Sequence, residues 1–499
     1  MPAEISAIAS ESCAQARRLW PAALGVALLG AEICFAARPG LNWPLWTLAA
    51  IAGLIVTLPR RAERTKRVGF DRTSGLYLTL AAALSCAAAV TAEPTLQGLI
   101  LIAVAALGAY VVQHSVSPQP GAVLLVPLRI GLAALAEAGR RTSEAAALLR
   151  AGSAVPILRG TALALPILVV LSLLLSGADP TLASWRDALA EALRQLTFLP
   201  RLIFFLVLAI GLTGSYGLAM RGAALGSAQS SPTAPRLLSQ LERLIVLVSV
   251  AALFALFFLL QLSYLFGSIG AQPGSGVTFA EATHRGFGEL TVAAALCVAL
   301  ILGLESCAAR DGREPWIRVL SGLIILEALL LLLSAYQRVV AYEAAYGFTV
   351  QRLYVQIYAG AVGVILVLLA VELLAGVDPA RFARRTIVTG LLGLGLVAFS
   401  NPSAWVVRAN VARYQMLRKI DAEYLAQLAG RSPDAIAELV RALPELEPAD
   451  AARLRAALEA SAVRHVGFYR EPAWYEWNLH RGEARSALAS AGLLPQQAQ

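Results

Sequence analysis

The sequence predicts an all-α fold: a polytopic transmembrane helical bundle of about 11 spans with a small C-terminal helical extramembrane domain. Three observations carry this prediction. Of the 499 residues, 58% are hydrophobic and only 15% are charged, whereas a soluble domain has roughly 45–50% apolar and 25% charged residues. The apolar residues are gathered into runs near the ~20 residues that cross the ~30 Å hydrocarbon core as a helix. Arginines cluster at the ends of those runs, as they do where positive charge orients spans in a membrane.

The expected spans are 19–36, 42–58, 74–92, 95–113, 157–177, 197–219, 242–265, 287–306, 317–339, 354–376 and 383–400. Helices are the spanning form because lipid cannot satisfy an exposed backbone. The cluster "RRAERTKR" at 60–67 marks a cytoplasmic loop. Alternation then puts Arg140, Arg141, Arg221, Arg310 and Arg381 inside and leaves basic-poor loops such as "AEPT" and "AYEAAYGFTVQRL" outside. An odd number of spans gives a cytoplasmic N-terminus and a periplasmic C-terminus. The segment 123–141 carries Arg129 and Glu137 among its leucines, so it reads as an amphipathic interfacial helix rather than a span. "MPAEISAIASESCAQARRLW" reads as the start of an uncleaved first helix.

The chain is expected to divide into an N-terminal membrane region (1–154, about four spans plus the amphipathic segment), a core membrane region (155–400, about seven spans) and a helical extramembrane domain (401–499). In the last of these, charge rises and apolar residues recur at helical spacing. In "GRSPDAIAELVRAL", Ser432 is the expected N-cap and Pro433 the first helical residue. "EPADAARLRAALEASA" starts another helix. The aromatic "AWYEWNLHR" at 473–481 is expected to pack on the span ends.

Composition also excludes function classes. The formal net charge of +9 sits at span ends rather than in a basic module interleaved with aromatics, so nucleic acid is not an expected partner. The five cysteines form no CxxC pair, and the four histidines, at 114, 284, 465 and 480, are not at metal-ligand spacing. Neither a metal nor a cofactor is expected. "GAQPGSG" lacks the Lys-Ser/Thr of a phosphate loop, and no GxSxG or HExxH motif occurs.

Polar groups concentrate in the seventh to tenth spans. Gln261 and Tyr264 share a face at the end of the seventh. Glu281, Arg285 and Glu289 recur every four residues and form a ridge entering the eighth. Glu327, Ser334, Arg338 and Tyr342 fall on one face of the ninth. Glu327 lies mid-span, where an ionised carboxylate costs roughly 2.5–3.5 kcal/mol on insertion scales, which makes it a functional candidate. Arg352 and Gln356 share a face at the start of the tenth. The candidate polar site is therefore Tyr264, Arg285, Glu289, Glu327, Arg338, Tyr342 and Arg352. Glu372, beside Arg381, reads as an ordinary interfacial ion pair.

Several segments occur in an order that is similar to a known family: "YLFG", "FAEATHRGFGEL", "SAYQRVVAYEAAYGFTVQRLY", "RANVARYQ", "IDAEYLAQL", "SPDAIAELV" and "WNLHR". Over roughly residues 155–481 the chain resembles an uncharacterised bacterial multi-pass inner-membrane family catalogued as a domain of unknown function. The resemblance implies membrane residence and brings no activity, substrate or cofactor with it. Three functional readings follow from the residues. The leading one is a transporter or lipid carrier with an outward-facing polar site. The second is a membrane-embedded enzyme on an envelope or lipid-linked substrate, with Arg285, Arg338 and Arg352 holding an anion and Glu289 as acid or base. The third is a non-catalytic sensor or assembly factor that binds a membrane or periplasmic partner through 401–499. In all three the lipid bilayer is the surrounding partner.

Overall fold

In a computed structural model of the chain, the residues described are 2–58, 72–116, 126–148, 198–225, 240–266, 296–298, 300–304, 315–376, 378–417, 422–465 and 472–494. All regular structure among them is helical. Contacts divide the chain into two compact units, one of residues 1–230 with 469–482 and one of residues 231–468 with 483–499.

The first unit contains α1 (Pro2–Ile33), α2 (Asn42–Thr57), α3 (Arg72–Ala87), α4 (Pro94–Val116), α5 (Val126–Leu148) and α6 (Leu199–Leu225). Helix α6 packs against α1, α2, α4 and α5. The Tyr216 hydroxyl of α6 donates to the Ala50 carbonyl of α2 at 2.6 Å. Helix α5 reaches α6 at Gly214, where a Cβ would stand only 1.9 Å from the Ala134 carbonyl oxygen. Small residues of this kind let helix backbones approach closely where lipid supplies no hydrophobic drive between helices. One turn on, the buried Glu137 accepts hydrogen bonds from Arg140, Arg141 (3.0 Å) and Arg221 (3.4 Å). Burial opposes its charge, but the Arg140 and Arg141 guanidiniums outweigh burial and hold the carboxyl below the usual carboxylate range.

The "WNLHR" segment also belongs to this unit. Asn478 Nδ2 donates to the carbonyls of Ala88 (3.0 Å) and Thr91 (2.9 Å) in the α3–α4 turn. The backbone N–H groups of Leu479 and His480 donate to Ala89 and Val90. The Trp477 carbonyl accepts from Leu41 N–H, and Arg481 donates to the Pro39 carbonyl, both in the α1–α2 turn. One short segment thus ties together two turns, one 390 and the other 442 residues earlier in the chain.

The second unit contains α7 (Gln240–Phe266), α8 (Pro315–Tyr346), α9 (Val350–Ala375) and α10 (Pro379–Phe399). Leu247, Ile301, Ile324, Leu366, Leu369 and Phe382 share its apolar core. It continues through α11 (Pro402–Leu417), α12 (Ala422–Arg431), α13 (Pro433–Ala442) and α14 (Pro448–His465), followed by the part of α15 (Leu479–Ser490) from Glu483 onward. Val407, Leu425, Ile436, Leu458 and Leu488 form a core for these later helices. Helix α13 begins where the sequence indicates, with Ser432 as N-cap and Pro433 next. The Ser432 side chain does not cap the helix and instead donates to the Ser403 hydroxyl at 3.0 Å.

Among the described residues, five helices are long and apolar enough to cross a membrane: Pro94–His114, Leu199–Arg221, Pro315–Ala344, Val350–Ala375 and Arg381–Phe399. Asn42–Thr57 and Arg243–Leu256 are shorter apolar helices. The expected span at 157–177 and most of that at 287–306 lie outside the described residues. The molecule is an all-helical protein with several apolar helices of membrane-spanning character.

The Gly214 contact makes a direct prediction. Gly214→Ala forces α5 away from α6, because the atom that the new methyl meets is backbone. Overpacking of this kind costs about 1–3 kcal/mol. Thermal denaturation of the detergent-purified protein should show a melting temperature several degrees lower, and an unchanged value would refute the close contact.

Candidate functional site

Two of the expected site residues, Tyr342 and Arg352, meet where α8 ends and α9 begins. The intervening turn needs Gly347, whose φ is +89° and whose missing Cβ would lie 3.0 Å from both Arg413 and Asn410. Thr349 caps α9 by accepting from Arg352 N–H at 3.3 Å. The cap holds Arg352 so that its guanidinium donates to the Gly347 carbonyl at 2.6 Å and stacks 4.2 Å from the Tyr342 ring centroid. This is a cation–π arrangement, and it unites two of the expected site residues, Tyr342 and Arg352.

Four residues of α11 and α12 close over the same turn. Asn410 accepts from Phe348 N–H (3.0 Å) and donates to the Phe348 carbonyl (2.8 Å). Arg413 donates to the carbonyls of Glu343 (3.3 Å) and Ala344 (2.8 Å). The Tyr424 hydroxyl accepts from Val350 N–H at 2.8 Å. Trp405 meets Phe348 edge-on at 5.5 Å between ring centroids. Glu343 is buried beneath the corner. Its Oε2 accepts from Gln356 Nε2, and its Oε1 has no hydrogen-bond partner among the described residues.

Glu327 lies elsewhere on α8. Its residue is 7% exposed, and its Oε2 is buried without a hydrogen-bond partner among the described residues. Ile324, Ile325 and Ala328, its neighbours in sequence, belong to the core shared with Leu247, Cys297 and Leu366. Its carboxyl is close enough to the buried Cys297 to act on it electrostatically. Ser334, on the same face, is also buried. Arg338 is half-buried and eleven residues further on, about 16 Å along a helix, so it does not pair with Glu327. Glu372 contrasts with Glu327. It is fully buried but gripped by Arg381 through two nitrogens and by Arg385 at 2.6 Å.

Arg285 and Glu289, with Glu281, lie outside the described residues, as does the side chain of Tyr264. Of the remaining expected residues, Tyr342 and Arg352 share the corner, while Glu327 and Arg338 lie apart from each other on α8. Sequence reasoning missed Glu343, Asn410, Arg413 and Tyr424. The available signal was their location inside "SAYQRVVAYEAAYGFTVQRLY", "RANVARYQ" and "IDAEYLAQL", three segments that the fold gathers onto one turn. Among the described residues no group of His, Cys, Asp and Glu has the arrangement to hold a metal ion.

Asn410→Leu preserves side-chain volume but leaves the Phe348 N–H and carbonyl without their partner. A buried group stranded in this way costs about 1–3 kcal/mol. Amide hydrogen exchange should accelerate across 347–350 and 402–417 in the variant. Protection equal to that of the wild type would show that the corner does not hold these helices together.

A family model described as Domain of unknown function (DUF4153) matches residues 78–442. The match starts within α3, upstream of the 155 expected from the motifs, and ends with α13, ahead of "WNLHR". It takes in the whole corner and Glu327. No curated protein and no solved structure matches the chain. With more than half of its length covered by that model, the chain belongs to the DUF4153 family, a domain of unknown function.

Proposed function

We propose that this protein is a multi-pass carrier of the bacterial inner membrane, handling an ion-coupled or lipid-linked substrate through the α7–α9 core. The observation that carries the reading is Glu327: a carboxyl on a membrane-length helix, buried, with one oxygen lacking a hydrogen-bond partner among the described residues. A carboxyl in that setting is stable when protonated or when matched by a cation, so it is suited to taking up and releasing one.

The sidedness of the reading rests on charge alone. With "RRAERTKR" at 60–67 cytoplasmic, alternation across eleven spans leaves the N-terminus cytoplasmic and 401–499 periplasmic.

Proteoliposomes loaded with a pH-sensitive dye test the carrier. Under an imposed gradient, wild-type protein should move protons or exchange them for a cation, and Glu327→Gln should abolish the flux while keeping its melting temperature. Wild-type flux in the variant would remove the main support. A second reading is favoured by the corner at Gly347: a non-catalytic partner that presents helices α11–α14 on a fixed membrane hairpin. In that case Glu327→Gln is silent and Asn410→Leu abolishes the cellular phenotype.

A further inference from the structure

We propose that the arginines around Glu137 form a binding site for the phosphate of an anionic phospholipid, with the exposed leucines of α5 carrying its acyl chain. The inference is independent of the role of Glu327. Glu137 is 3% exposed, and three guanidiniums converge on it. Arg140 bonds to it through Nε and Nη2 and reaches Glu144 through Nη1. Arg141 bonds to it through Nε and comes within 3.7 Å of Glu144. Arg221 approaches it with one nitrogen at 3.4 Å. Three cations against two carboxylates leave one positive charge in excess.

The surplus is available at the surface. The side chains of Arg140 and Arg221 are 41% and 52% exposed, and Arg221 offers Glu137 a single nitrogen. Glu137 itself is locked in place: a Cβ on Gly217 would lie 3.2 Å from its Cγ and 3.4 Å from Arg141 Nε. The buried carboxylate therefore acts as a positioning group that pre-orients the forks, and planar guanidiniums suit phosphate oxygens. An apolar surface lies on the neighbouring flank of the same helix. Leu128, Leu132 and Leu135 are 63%, 61% and 36% exposed and share one face of α5, and Arg140 follows less than two turns further along. A zwitterionic lipid would match the leucines but not the surplus charge, and free phosphate would match the charge but not the leucines. Basic pockets of this kind on the cytoplasmic side of membrane helices are suited to anionic headgroups.

The test is thermal denaturation of the full-length protein in detergent, titrated separately with short-chain phosphatidylglycerol, short-chain phosphatidylcholine and inorganic phosphate. Wild-type protein should be stabilised by phosphatidylglycerol alone. Each arginine near an anionic surface contributes enough that Arg140→Gln should raise the half-saturating concentration about fivefold, and Arg140→Gln with Arg221→Gln about thirtyfold. The single variant leaves Arg141 and Arg221 on Glu137, so it decides the question if the double variant does not fold. Equal stabilisation by phosphatidylcholine or by phosphate, or an unchanged phosphatidylglycerol titration in the single variant, overturns the proposal.

Discussion

The constraint on which the rest of this structure depends is the backbone at the ends of its long helices. A helix leaves its last four carbonyls without intrahelical partners, and close to lipid an unpaired polar group costs several kcal/mol. Both units cover carbonyls at or just past their helix ends with groups from late in the sequence. Asn478 and the N–H groups after it cover the carbonyls of 88–91. Arg413 covers two terminal carbonyls of α8, where its positive charge also suits the helix dipole. Asn410 exchanges two bonds with Phe348 as a neighbouring strand would. An amide suits this work because it donates and accepts at once and carries no charge to desolvate.

The buried carboxylates are distinguished by their partners rather than by their depth. Glu137 and Glu372 are both buried, and each is held by more than one arginine. Attraction and hydrogen bonds there offset desolvation, and removal of one partner from such a group is costly while the pair itself adds little net stability. Glu343 is half satisfied, by an amide. Glu327 is set in an apolar core with Oε2 unmatched among the described residues. Paired carboxylates fix helices relative to one another, and an unmatched one keeps a free energy that a proton or a cation can release on binding.

Much of the architecture was legible from residue patterns, because lipid imposes simple rules on a chain. Apolar run length identifies α4, α6, α8, α9 and α10, and the Ser432-Pro433 signal marks the start of α13. Two kinds of information were not legible. The first is non-local association: nothing in the bland sequence of α6 announces that it packs on four earlier helices, since Gly214 and Tyr216 act through backbone atoms of Ala134 and Ala50. The second is polar function. Charged residues draw the eye, yet the turn after α8 is held by Asn410 and Gly347, which carry no charge and follow no period. Arg352, a candidate site residue by its charge, also bonds to the Gly347 carbonyl and stacks on Tyr342, contacts that no period announces. Period locates faces of helices, but it does not say what a face meets.

That engagement bears on which parts of the second unit can move. Helices α8 and α9 are bound at one end by the Gly347 corner, and α9 and α10 at the other by the ion pairs of Glu372 with Arg381 and Arg385. Directional bonds at both ends resist sliding, because each must break before a new register forms. The contact of α7 and Cys297 with α8 is made by Leu247, Ala251, Ile301, Ile324 and Ile325, whose attraction is non-directional. Packed apolar faces slide past one another in small shear steps at lower cost than bonded ones. Helices α8, α9 and α10 are therefore the more firmly bonded part of this unit. The corner residues thus hold in place the helix that carries the buried Glu327 carboxyl.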